Sequence, residues 1–287
     1  MSVDSEKSEQ YWDLIIRSRV SWWDIDLKGL TKFKELIFLF VRRDFVAIYK
    51  QTILGPLWMF LQPMLTVMLF ALVFGRIANI PTGGLPPLLF YLPAYVLWAY
   101  FSECINRISL TFVSNRGMFG KVYFPRLVIP ISVFFSNLFK FFIQLILFLL
   151  VYVYYLFNGV KLNSGVELFF TPLLILCIGV LGFSGGLMVT SLTVRFRDIN
   201  LLLSFIIQLL MYGSSIIFSY NSMGPSIQAI LKWNPFVWLI EGFRFAFLGV
   251  GVWSWSGILY AWMVAIFLLF FSILLFSRVE KKFIDTI

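Results

Sequence analysis

Six apolar tracts constrain this chain more than any other feature: residues 57–78, 88–113, 131–157, 168–194, 201–220 and 257–277. Each is long enough to cross a hydrocarbon core, which takes about 20 helical residues. Hydrophobic residues make up 60% of the 287 and charged residues only 13%, far from the balance of a soluble domain. The expectation is an all-α integral membrane protein with six transmembrane helices. Residues 1–56 form a cytoplasmic tail and interfacial helix, 57–277 the membrane domain, and 278–287 a cytoplasmic C-terminal tail.

Six crossings put both termini on one side, and charge chooses which. Of the 23 Lys and Arg residues, 17 fall before residue 57, in the loops after the second and fourth tracts, or after residue 277. Short loops rich in cations stay cytoplasmic, so both termini are predicted inside. The net charge of +9 then reads as loop charge facing the cytoplasm and anionic headgroups, with no nucleic-acid partner implied. The first 20 residues are polar and acidic and lack a signal-peptide core, which agrees with a cytosolic start.

Several chemistries are excluded. There is no His, and the two cysteines, Cys104 and Cys177, sit alone in apolar tracts. No Ser-His or Cys-His nucleophile, His-ligated zinc site or disulfide framework is available. The nearest approach to a phosphate-binding loop is NRGMFGKV, which has Asn115 for the first Gly and Val122 for the hydroxyl residue that would reach magnesium. No catalytic residue, metal site or bound cofactor is expected in this chain.

Charge is concentrated at the approach to the first tract, in RRDFVAIYKQTILGPLWMF. Between residues 32 and 50, Phe33, Leu36, Ile37, Phe40, Val41 and Ile48 recur at spacings of three, four and seven, with most charges elsewhere, and Arg42, Arg43 and Asp44 fall within the same segment. That pattern predicts an amphipathic helix along the inner leaflet. Tyr49 and Lys50 mark its headgroup end, Gly55-Pro56 turns the chain, and Trp58 anchors the first span.

Three further features stand out. After the second tract, Arg116, Lys121 and Arg126 are mixed with Met118, Phe119, Tyr123 and Phe124, more aromatic surface than an orienting loop needs. After the fourth, Arg195, Arg197 and Asp198 form a short cationic loop with two equal readings, contact with a cytoplasmic partner subunit or capping of the next helix by Asp198. Residues 221–255 are apolar but interrupted by prolines and glycines, which predicts a short re-entrant or interfacial helical hairpin. There Glu241 and Arg244 would share one helix face.

Within the spans, Glu103 and Lys140 lie at matching depth from the cytoplasmic side. Equal depth permits a cross-span pair; the alternatives are Lys140 snorkelling to the headgroups and Glu103 pairing with Arg107 four residues on. Tyr91, Tyr95, Trp98, Tyr100 and Phe101 are candidates for helix interfaces, with no substrate contact assigned to any.

RRDFVAIYKQTILGPLWMFLQP resembles the opening signature of ABC-2 type permeases that export bacterial cell-surface polysaccharides: O-antigen, capsule and teichoic acid. The resemblance continues through VFGRIA, NRGMFGKVYFPRLVIP, RFRDINLLLSFIIQLLMY, WNPFVWLIEGFR and RVEKKFIDTI, in order along nearly the whole chain. It implies a permease subunit of the bacterial inner membrane, functioning as a homodimer. Two copies of a separate ABC ATPase, which binds ATP and Mg, would drive it, and the substrate would be a polyprenyl-diphosphate-linked glycan.

It further implies that the segment around Phe119 docks on that ATPase, where the residues alone are equally those of a lipid-dipping loop, and that Asn234, Pro235, Glu241 and Arg244 belong to gate helices near the outer exit. One position departs from the pattern: Ser215 stands where many relatives have proline, which puts a kink in the fifth span in doubt. The competing readings are an ATP-independent flippase or secondary transporter, poorly supplied with in-span acids, and a membrane glycosyltransferase, whose outer face would lack catalytic carboxylates.

Overall fold

The computed structural model describes residues 31–50, 53–119, 124–162, 165–193 and 198–284, and among these the secondary structure is helical, with no strand. Helix α1 (Lys34–Lys50) is followed by a 3-10 turn, Gly55–Leu57, then α2 (Trp58–Phe70) and a π-helical turn, Ala71–Ile77. Gly55 takes the left-handed backbone (φ 52°) and Pro56 opens the turn, as expected of a chain swinging from one helix axis to another. Next come α3 (Pro87–Ser109), the short α4 (Thr111–Ser114) and α5 (Arg116–Phe119), and α6 (Val128–Phe157). A 3-10 turn, Val166–Phe170, leads into α7 (Thr171–Thr193). The remainder is α8 (Ile199–Tyr212), α9 (Pro225–Leu231), α10 (Pro235–Leu248) and α11 (Trp255–Ile284).

Five stretches among the described residues are long and apolar enough to cross a membrane: Gly55–Ile77, Pro87–Ser109, Val128–Phe157, Val166–Thr193 and Trp255–Val279. They coincide with the first, second, third, fourth and sixth expected spans. The fifth differs. Its helix stops at Tyr212, and at 14 residues it is about 21 Å long at 1.5 Å per residue, short of a core of about 30 Å. Apolarity continues to residue 220, but the backbone does not remain helical.

The centre of the molecule is α3, most of whose residues are buried. Against it runs a face of α7 made of Gly179, Gly182 and Gly186. A Cβ on Gly182 would lie 2.9 Å from that of Cys104, and one on Gly186 2.6 Å from that of Ile108. Small residues at this spacing let two helix backbones approach closely where lipid offers no hydrophobic drive for association. The closeness is reinforced by side-chain hydrogen bonds across it: the Thr190 hydroxyl donates to the Ile108 carbonyl at 2.6 Å and that of Thr193 to Ser109 at 3.4 Å.

The expected N-terminal helix is present, packed along α6 through Phe45 and Phe139, whose rings meet edge-on at 4.8 Å. Phe40 is buried, with Phe33, Leu36 and Ile37 partly so, whereas Phe38 and Leu39 are exposed. Between residues 221 and 255 the expected hairpin is two helices, α9 and α10. The second is not a surface amphipath: it is buried along most of its length against α3, α7 and α11.

Candidate functional site

Three polar constellations lie within this apolar frame. The first is a cavity of about 300 Å³ enclosed by α2, α3, α6 and α8. On α3 its wall is Tyr95, Trp98, Ala99, Tyr100, Ser102, Glu103 and Asn106. All but Tyr100, which borders the edge, advance from Tyr95 by three, four, seven, eight and eleven residues, one face of a helix. On α6 the wall is Asn137, Lys140, Phe141 and Gln144, and on α8 it is Ser204, Ile207, Gln208 and Met211, each set again at helical spacing. Gln62 and Pro63 of α2 close it. Glu103 and Lys140 meet here at 2.9 Å, with side chains 39% and 21% exposed.

The second constellation ties α1 to this wall. Asp44, buried, receives Nε and Nη2 of Arg43 at 3.1 and 2.9 Å on Oδ1, and Nη2 of Arg107 at 3.2 Å on Oδ2. Nη1 of Arg107 donates to Oδ1 of Asn137 at 3.2 Å. Arg107 therefore bridges α1, α3 and α6 and is unavailable to Glu103, which turns to Lys140. Asp44 stands four residues after Phe40 and seven after Ile37, on the side of α1 that packs inward, and its charge is accommodated there because Arg107 supplies a charged partner.

The third lies where α8 breaks. Glu241 and Arg244 of α10 are both fully buried and 2.9 Å apart. Oε1 of Glu241 also accepts from the Ser215 hydroxyl and, at 3.1 Å, from the Tyr220 amide. Nη2 of Arg244 donates to the carbonyls of Ser215 and Ile216, each at 3.1 Å, and its guanidinium lies over the Phe90 ring at 3.9 Å. Asn234 caps α10 by accepting from the Phe236 amide at 3.0 Å, and its Nδ2 donates to the Gly213 carbonyl at 2.7 Å. Pro235 opens the same helix. The chain thus departs from helix without a proline at 215: Ser215 adopts the left-handed conformation (φ 58°), and α10 satisfies the carbonyls that the break releases. The doubt raised by Ser215 is resolved against an uninterrupted helix.

The loop residues distribute unevenly. Phe124 is buried, 6.2 Å from the Phe40 ring, and Arg126 is buried with its guanidinium 5.8 Å from the Phe112 ring, so neither belongs to an exposed knob. Met118 is partly buried against the core. Arg116 and Phe119 fall on α5, while Lys121, Tyr123, Arg195 and Arg197 lie outside the described residues. Asp198 is exposed and its side chain caps nothing; its backbone carbonyl accepts from Leu201 and Leu202 at 3.0 and 3.2 Å. Arg42 and Lys50 are exposed at the polar side and end of α1.

Sequence reading missed the amides and hydroxyls of the cavity, namely Gln62, Ser102, Asn106, Asn137, Gln144 and Gln208. Their signal was available: polar residues recurring three, four and seven apart inside tracts that otherwise read as lipid-facing.

Residues 35–248 match the ABC-2 type transporter family. Among curated relatives, an O-antigen export system permease protein RfbA of Klebsiella pneumoniae is 23% identical over 253 residues, covering 88% of this chain and 94% of its own. Its namesake from Myxococcus xanthus is 25% identical over 223 residues, 77% of this chain and 83% of its own. The inner membrane transport permease YadH of Escherichia coli strain K12 is 22% identical over 253 residues, 80% and 90% respectively. With a span-rich all-helical architecture and a family match over most of its length, the chain is a multi-pass membrane protein that belongs to the ABC-2 type transporter family.

Proposed function

We propose that this chain is the permease subunit of an ATP-driven exporter that carries a lipid-linked cell-surface glycan across the bacterial inner membrane. The observation that carries this reading is the cavity. Amides, hydroxyls and the aromatic rings of Tyr95 and Trp98 stand together at span depth, which suits a ligand with hydroxyls on its edges and apolar faces on its rings. The family and the names of the relatives point the same way.

In this reading the chain forms a homodimer, binds two copies of a separate ABC ATPase, and keeps both termini in the cytoplasm. The fifth crossing consists of α8 continued by the broken segment 213–219, which completes six spans. An ion-coupled carrier fits less well, because it needs an acid free to cycle at span depth, and both Glu103 and Glu241 are held by cations.

The test is genetic and biochemical. Removing the chain from its host should abolish surface glycan while lipid-linked polymer accumulates inside, and restoring it should reverse both. A double replacement, Phe119→Ala with Tyr123→Ala, should leave insertion intact, reduce co-purification of the ATPase and stop export. Normal surface glycan in the deletion strain would overturn the reading.

A further inference from the structure

We propose that the cavity between α2, α3, α6 and α8 selects an uncharged, hydroxyl-rich chain over a polyanionic one, and that the Glu103–Lys140 pair sets this selectivity by keeping the wall electrically neutral. The inference rests on the export reading and narrows its substrate class.

The charges at the wall cancel locally. Lys140 Nζ is committed to Glu103 at 2.9 Å. Arg107, one turn below Glu103 on α3, is committed to Asp44 and to Asn137, each at 3.2 Å. Among the described residues, no cation bordering the cavity is left without a carboxylate or carbonyl partner to receive a phosphate or carboxylate group. The rest of the polar wall is amide and hydroxyl: Gln62, Ser102, Asn106, Gln144, Ser204 and Gln208. Amides and hydroxyls both donate and accept, as sugar hydroxyls do, and they leave no charge uncompensated when the ligand departs. A phosphodiester entering here would meet the carboxylate of Glu103 with its counter-charge already engaged, gaining no free cation in exchange for the water it gives up. Tyr95, half-buried on the same wall, adds flat apolar surface for the face of a sugar ring, which a polyol-phosphate lacks. The volume, about 300 Å³, is at the lower end for small-ligand sites and suits a segment of a polymer passing through.

The experiment uses the full chain in lipid nanodiscs with Ser102→Cys as a reporter on the wall. Native Cys104 and Cys177 are buried and stay silent to a maleimide. The probes are a neutral oligomannose and an oligo(glycerol phosphate) of equal length, and the readout is protection of Cys at 102 from labelling. The neutral oligomer should protect at a concentration about tenfold lower than the anionic one. Glu103→Gln, which frees the Lys140 charge, should improve protection by the anionic oligomer about tenfold and remove the preference. Lys140→Gln should widen it, and the double replacement, neutral again, should restore the original order.

Equal or better protection by the anionic oligomer in the unmodified pair would overturn the proposal while leaving export intact. So would a preference unmoved by both single replacements in protein that elutes as a monodisperse species. Protection by neither oligomer would take the cavity out of the transport path and the proposal with it. The deletion phenotype then judges the export reading separately.

Discussion

Glu103–Lys140 and Glu241–Arg244 have the same nitrogen-to-oxygen separation, 2.9 Å, and opposite surroundings. The first pair borders a cavity, is partly exposed, and has one hydrogen bond between its members. The second is fully buried and is laced to Ser215, Ile216 and Tyr220 by further bonds from or to both members. A half-open pair contributes little to folding because its ions are nearly as well solvated when apart. A sealed pair is different: removing either member strands a charge with no water to take it. The same charge pairing is therefore a half-open contact at a cavity in one place and a sealed structural strut in the other, and the environment makes the difference.

The largest effect is expected at the strut. Arg244→Ala should destabilise the protein by about 3–5 kcal/mol, since Glu241 keeps its hydroxyl and amide partners but loses its cation. Yield of monodisperse protein in detergent should collapse, and recovery near that of the unmodified chain would show that the break after Tyr212 does not depend on this pair.

Next comes the frame that holds both sites. Gly186→Leu must push α7 off α3, because even a Cβ would sit 2.6 Å from that of Ile108. A loss of about 1–3 kcal/mol, read as a lower thermal midpoint in detergent, is the expected range for overpacking. An unchanged midpoint would mean that the two helices have room to separate.

A smaller change is expected at Asp44→Ala. It frees Arg107 from one of its two partners, and with Arg107 about a third exposed, roughly 1 kcal/mol is lost. The sharper consequence is electrostatic, since Arg107, left with the Asn137 amide and no carboxylate, competes one turn from Glu103 with Lys140 for it. Thermal midpoint and the labelling preference at the cavity should therefore move together, and movement of the midpoint alone would separate α1 from the cavity.

The smallest stability effect belongs to the cavity pair. Glu103→Lys and Lys140→Glu should each shift the thermal midpoint by the equivalent of about 1 kcal/mol or less, yet impair export, and the double exchange should restore part of it. Collapse of either single variant in detergent would make this pair a strut like the other, and the contrast between the two would fail.

Much of the fold was legible because period and length are local properties. Five of the six apolar tracts are span-length helices, two short helices lie between residues 221 and 255, and the amphipathic stripe that begins at Phe33 runs into α1. Glu103 and Lys140 could be matched by depth, though only the rotation of α3 against α6 decided that they meet and that Arg107 goes to Asp44. The cavity was half-legible: the polar positions on α3, α6 and α8 each show helical spacing, but three faces converge only in three dimensions. Phe124 and Arg126 were read as loop surface because a short linker between spans is usually exposed, whereas the packing of α1 against α6 folds them in.

What the sequence determined by itself is the class of molecule: tracts too apolar for water, a charge asymmetry between loops, and no histidine. Those follow from composition and order, which act wherever the chain lies. Only the tertiary structure decided where the fifth tract breaks, which charges are sealed and which border a cavity, and how close α3 and α7 approach. These depend on side chains more than twenty residues apart: Arg244 meeting the carbonyl of Ser215, Gly186 meeting Ile108, Asp44 meeting Arg107. No local pattern carries that information, because a buried charge or a broken helix is tolerated only once a distant partner is in place to satisfy it.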